Sequence, residues 1–94
     1  METITSTYEA VLQIISMTFD KNLKWRFDDG ESKFYALVTD EDFIKRFESG
    51  RINFAKNDRI LAQIELKQIY DESSTRTERK VIKVLKIFKS NALS

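Results

Sequence analysis

The sequence predicts a β-rich α+β fold, a small five-stranded OB-like or SH3-like barrel with one helix between strands 3 and 4. Three stretches carry that reading. TDEDFIKRFESG, from Thr39 to Gly50, has the form of a capped helix. RILAQIELKQIY, from Arg59 to Tyr70, alternates like a half-buried strand. Asp28-Asp29-Gly30, upstream of both, is a reversal between two short apolar runs. A single helix set between the third and fourth of five strands is the connectivity of an OB-like barrel. An α+β sheet with one covering helix would use the same elements.

In chain order, residues 1–7 are polar apart from Met1 and Ile4, and they and residues 90–94 read as frayed. Tyr8 to Phe19 fits two templates. Val11, Leu12, Ile15 and Phe19 fit helical spacing, with Ser6 and Glu9 as a capping box; Val11, Gln13, Ile15, Met17 and Phe19 form an alternating row. The β-branched content of VLQIISMTF favours the strand. Asp20-Lys21-Asn22 reads as a turn, and Leu23 to Phe27 as a strand with Trp25 and Phe27 on one face and Lys24 and Arg26 on the other. Lys33 to Val38 returns and runs straight into the helix.

In that helix Thr39 is suited to N-cap the first turn, with Asp42 as a short-armed capping-box partner. Asp40, Glu41 and Asp42 complement the positive end of the helix dipole. Phe43, Ile44 and Phe47 share one side, and Gly50 supplies the left-handed residue that ends the helix. Ile52 and Phe54 alternate with polar residues, and Lys56-Asn57-Asp58 forms a turn. In the strand from Arg59, Ile60, Ala62, Ile64 and Leu66 face one way with Tyr70 closing the row, against Gln63, Glu65 and Lys67. Asp71 to Thr77 reads as a polar loop. The last element, Arg79 to Lys89, repeats every three residues, with lysine at 80, 83, 86 and 89. That period matches neither helix nor strand. Its β-branched residues and its distance from 59–70 favour a strand with lysines at its margins or at a bulge.

The chain of 94 residues has room for one domain with a modest core. It holds no cysteine, histidine or proline and only two glycines. Disulfides, thiolate chemistry, a histidine base and a glycine-rich phosphate loop are therefore excluded. No cofactor, metal or catalytic residue is expected, and the chain does not read as an enzyme. No apolar run approaches bilayer length and no signal peptide is visible, so a cytoplasmic location is expected. The net charge of +1 is uneven: residues 1–50 hold six Lys/Arg against ten Asp/Glu, and residues 51–94 hold ten against five. The basic excess lies at Arg76, Arg79, Lys80, Lys83, Lys86 and Lys89.

Trp25-Arg26-Phe27, Asp29-Gly30, Asp40-Glu41-Asp42-Phe43 and Phe54-Ala55-Lys56-Asn57-Asp58 follow one another within the run KWRF to ELKQ. This order resembles a C-terminal accessory module of larger, uncharacterised bacterial proteins, over about half the chain. Asn57 stands where that pattern has glycine, and still permits a left-handed turn. The resemblance implies a β-rich accessory domain that descends from a longer protein. It brings no catalytic residues with it.

The candidate binding residues are Trp25, Arg26, Lys33 and Tyr35, with Arg79, Lys80, Lys83 and Lys86. On an OB-like barrel the second and third strands form a binding face. Aromatic rings there stack on unpaired bases while Arg and Lys meet phosphates. The competing reading makes Trp25 and Phe27 core residues and the lysine row a solvated edge that blocks sheet-to-sheet pairing. Phe34 and Tyr35 are neighbours and must face opposite ways. Asp40, Glu41 and Asp42 point in different directions from a helix start and read as capping residues, not ligands. Two functions follow: an interaction module docking on its parent chain or another protein, and a module for single-stranded nucleic acid.

Overall fold

The computed structural model describes residues 2–20, 22–55 and 57–90. It contains β1 (Glu2–Ser16), β2 (Trp25–Asp28), β3 (Lys33–Val38), α1 (Glu41–Glu48), β4 (Arg59–Tyr70) and β5 (Thr75–Phe88). The strands close into a barrel in the order β1-β2-β3-β5-β4, with β4 returning to β1. β3 and β5 pair in parallel and every other ladder is antiparallel. The expected small OB-like or SH3-like barrel, with its helix between strands 3 and 4, is thus the fold observed. Among the described residues no helix is long and apolar enough to cross a membrane.

Local chemistry sets the connections. In the β2–β3 reversal the Asp29 carboxylate accepts from the amides of Glu31 and Ser32, each at 2.9 Å, and Gly30 takes φ +94°. Those amides hold the Asp29 pKa below its ordinary value, with a smaller contribution from the Arg79 charge. At the helix C-terminus Gly50 has φ +79°, its amide donates to the Phe47 carbonyl, and the Arg51 amide donates to that of Arg46. This is a Schellman closure with glycine in its left-handed position. Asn57 takes φ +78°, as the turn reading requires. Lys21 and Lys56, the middle and first residues of two expected turns, lie outside the described residues, as does 91–94 of the expected frayed terminus.

The N-cap is Asp40, not Thr39. The Asp40 carboxylate accepts from the Phe43 amide at 3.2 Å, while the Thr39 hydroxyl donates to the Val81 carbonyl. Asp42 makes no capping box and instead faces Arg46 one turn on, at 3.4 Å and largely in solvent. Asp40 is buried, and its second oxygen accepts from the Val84 amide of β5 at 2.9 Å. One side chain thus satisfies an orphan amide of the helix and an amide of the distant strand.

β5 explains its own period of three. Against β4, Lys80 pairs with Glu65, Lys83 with Gln63 and Lys86 with Leu61; Val81 pairs with Ile64, Val84 with Ala62 and Ile87 with Ile60. The ladder shifts register at both steps, so Ile82 and Leu85 are extra residues with no partner in β4. A three-residue repeat on β5 is thereby matched to the two-residue repeat of β4. Val81 and Val84 are buried, and the three lysines share the outer face.

The core row of β1 is the opposite of the alternating row expected. Leu12 and Ile14 are buried, with Tyr8 and Ala10 packed beside them, while Val11 and Ile15 face out. In β4, Ile60, Ala62 and Ile64 are buried as expected, but further along the strand Ile69, not Leu66 or Tyr70, is the buried residue. β1 and β5 also begin earlier than expected. Residues 2–7 are not frayed: Glu2 to Thr7 run in register against Tyr70 to Glu65. β5 starts at Thr75, so the expected loop 71–77 shrinks to a reversal closed by the Asp71 amide on the Ser74 carbonyl. These three stretches form an arm beyond the barrel and give the molecule extents of 51 × 27 × 19 Å.

At the helix end Trp25 lies within 6.1 Å, ring centre to ring centre, of Phe27, Phe43, Phe47 and Phe54. Beside this cluster Asp58 is fully buried. Its carboxylate accepts from the Ala55 amide at 2.8 Å, the Ser90 amide at 2.6 Å and the Lys89 ammonium at 2.8 Å. Lys89 also donates to the Asn53 carbonyl. Burial pushes the Asp58 pKa up, but the Lys89 hydrogen bond and the two amides outweigh it and hold the carboxyl below its ordinary 3.8.

Two outcomes are expected. Asp40→Ala removes the cap and strands the Val84 amide in a dry site, so urea denaturation is expected to show a loss of about 2–4 kcal/mol with an unchanged slope. A carboxyl with a depressed pKa stabilises the fold above its unfolded pKa and loses that contribution as pH falls through the folded one. Asp58 should therefore stabilise at neutral pH and progressively less below about pH 4. Asp58→Asn is expected to be less stable at pH 7 and to show a flatter acid limb in thermal melts.

Candidate binding faces

The cross-strand pairs place the sequence-selected residues around the outside of the barrel. On β2 and β3, Arg26 pairs with Tyr35 and Asp28 with Lys33. Tyr35 is 56% exposed while its neighbour Phe34 is buried, so the two face opposite ways as expected. The Arg26 guanidinium lies over the Tyr35 ring at 5.2 Å. This stack holds an aromatic face and a cation together at the surface. The next outward position on β3, Leu37, pairs with Lys80 of β5. Arg26, Lys33, Tyr35 and Lys80 therefore share one continuous outer surface, which Lys83 and Lys86 extend along β5.

Trp25 leaves this group. It is 2% exposed and sits within the aromatic cluster at the helix end, so it has no face to offer a ligand. The parity that sends Arg26 outward sends Trp25 and Phe27 inward. Arg79 also departs from the file. It pairs with Leu66, on the opposite side of β5 from Lys80, and its guanidinium covers the Phe34 ring at 4.9 Å. It closes the barrel mouth where the arm begins.

The lysine file is partly offset by acids. Lys80 stands beside Glu65, and Glu9 pairs with Gln63 in the row that holds Lys83. No ion pair within 4.0 Å engages Lys80, Lys83 or Lys86 among the described residues.

Sequence reasoning missed a second surface. Two rows cross β1, β4 and β5 on the outside: Val11–Leu61–Lys86 and Gln13–Arg59–Phe88. Val11, Leu85 and Phe88 are 44%, 45% and 39% exposed, and the Lys86 ammonium lies 5.9 Å from the Phe88 ring centre. Apolar side chains and two cations, Arg59 and Lys86, thus share one sheet face. The signal was present in VLQIISMTF, which is apolar on both parities, and in the extra apolar residues of β5. A groove of about 310 Å³ also runs between the end of β3 and α1, lined by Val38, Thr39, Glu41, Ile44, Lys45 and Glu48. No set of three acidic side chains placed to hold a metal ion occurs among the described residues. Comparison with known protein families, curated proteins and solved structures returns no match for this chain.

Proposed function

We propose that the protein is a non-catalytic interaction module that docks on a protein surface, either its parent chain or a separate partner. The observation that supports this reading best is the outer face of β1, β4 and β5, where Val11, Leu61 and Phe88 are interleaved with Arg59 and Lys86. Clustered exposed apolar groups among cations fit a complementary surface that is apolar and carboxylate-bearing. The resemblance to a C-terminal accessory module of larger bacterial proteins points the same way, to a domain that serves a longer chain in the cytoplasm. A photo-crosslinking residue placed at Val11 or Phe88 in cells is expected to give a discrete protein adduct. The same residue at Glu72, on the β4–β5 reversal at the far end of the arm, is expected to give none. Leu61→Asp should abolish the adduct without unfolding the barrel; adducts of equal yield at all three positions would overturn the reading.

The Arg26–Tyr35 stack supports a second reading, a binding face for single-stranded nucleic acid with Lys33, Lys80, Lys83 and Lys86 along the backbone. On this reading an oligothymidine should bind with an affinity that falls steeply with salt, and Tyr35→Ala should weaken it by about 1–3 kcal/mol. Absence of binding at low salt removes it.

A further inference from the structure

The edge of the arm carries its own message. From Glu2 to Leu12, β1 is paired with β4 on one side, and among the described residues no strand covers the other side, because β2 joins β1 only from Gln13. The pairing with β4 runs without a bulge over this whole stretch. Exposed edges are ordinarily guarded by lysine, proline, a bulge or shortness. Glu2 to Leu12 contains no lysine, arginine or proline, and its only charges are Glu2 and Glu9. The free edge of β5 differs, because Arg76, Glu78 and Arg79 punctuate it.

We propose that the β1 edge pairs antiparallel with the β1 edge of a second copy of this chain, about a twofold axis through Ser6. The sequence is self-complementary in that register. Ile4 falls opposite the second copy's Tyr8, Thr5 opposite its Thr7, and Ser6 opposite its own counterpart. Branched-aromatic and Thr–Thr pairs are favourable cross-strand combinations. Glu2 meets Ala10 and Glu9 meets Thr3, so no carboxylates face each other. Ile4, 45% exposed in the monomer, gains cover. The product is a continuous six-stranded sheet in the order β5-β4-β1-β1-β4-β5, with a barrel at each end. The paired segment ends at Ala10, one residue short of Val11, and substitutions at positions 5, 6 and 7 leave the Val11–Leu61–Phe88 face unaltered, so the two readings are tested by different variants.

The chain has no cysteine, which permits a clean test. Residues opposite one another in an antiparallel ladder have Cα atoms about 4.5–5.5 Å apart, inside the disulfide range. Under mild oxidation Ser6→Cys is expected to form a covalent dimer rapidly, whereas Ala10→Cys, which faces Glu2 in this register, is expected to form little. Sedimentation velocity should show a concentration-dependent dimer of the unmodified protein that forms below millimolar concentration. The double variant Thr5→Lys/Thr7→Lys sets lysines opposite lysines and should be monomeric with an unchanged circular dichroism spectrum. Mixing it with Thr5→Glu/Thr7→Glu should restore a heterodimer. A chain that stays monomeric at millimolar concentration, a Lys variant that still dimerises, or equal crosslinking at positions 6 and 10 would overturn the proposal.

Discussion

The register of β5 against β4 is the constraint on which the rest of the molecule depends. Two extra residues, Ile82 and Leu85, must be accommodated within a few steps of the ladder. A bulge leaves backbone groups without their ladder partners, and a buried amide left unpaired is costly. Asp40 supplies the missing acceptor at Val84 and, with its other oxygen, caps α1. The helix start and the irregular strand are thereby fixed to each other. Thr39 adds to the same joint, its amide and hydroxyl both donating to the Val81 carbonyl. The parallel β3–β5 contact, only Leu37–Lys80 and Val38–Val81 in length, sits beside it, so this joint also closes the barrel.

The sorting of side chains follows from that register. With two bulges, Val81 and Val84 meet Ile64 and Ala62 in the core, and Lys80, Lys83 and Lys86 stand in file outside. Without them Val84 would turn to solvent and Lys83, opposite Ala62, would enter a closed apolar interior. At the helix end Trp25 and the phenylalanines of α1 and its following loop fill the opening. Asp58 then fastens that loop to the end of β5 through Lys89 and Ser90, and the Ile14 amide donates to the Asp58 carbonyl from β1. The helix start and the far end of the loop that follows α1 are therefore each held by a buried aspartate, Asp40 and Asp58, rather than by the core alone.

What could be read in advance was what local periodicity controls. The hairpin at Asp29-Gly30, the helix ended by Gly50 and the alternation of Ile60, Ala62 and Ile64 each depend on residues close in sequence, and each stands as expected. Phe34 and Tyr35 were separable for the same reason. What resisted reading depends on distant partners. Thr39 and Asp40 are both good capping residues, and only the Val84 amide, more than forty residues away, decides between them. β1 is apolar on both parities near Leu12, so its inner row is chosen by β4 and not by β1 itself. The pairing of Glu2 to Thr7 exists because β4 extends far enough to receive it. Trp25 could be placed on either side of its strand until the barrel set the inside, and the apolar outer face of Val11, Leu61 and Phe88 appears only when three strands are laid side by side.

The most direct check is the set of cross-strand backbone contacts between β4 and β5, measured as nuclear Overhauser effects in the isotopically labelled protein. The double-bulged register requires Lys83 opposite Gln63 and Lys86 opposite Leu61, with no partner in β4 for Ile82 or Leu85. Uninterrupted pairing from Lys80–Glu65, which would set Lys83 against Ala62 and Lys86 against Arg59, would contradict it and dissolve the lysine file.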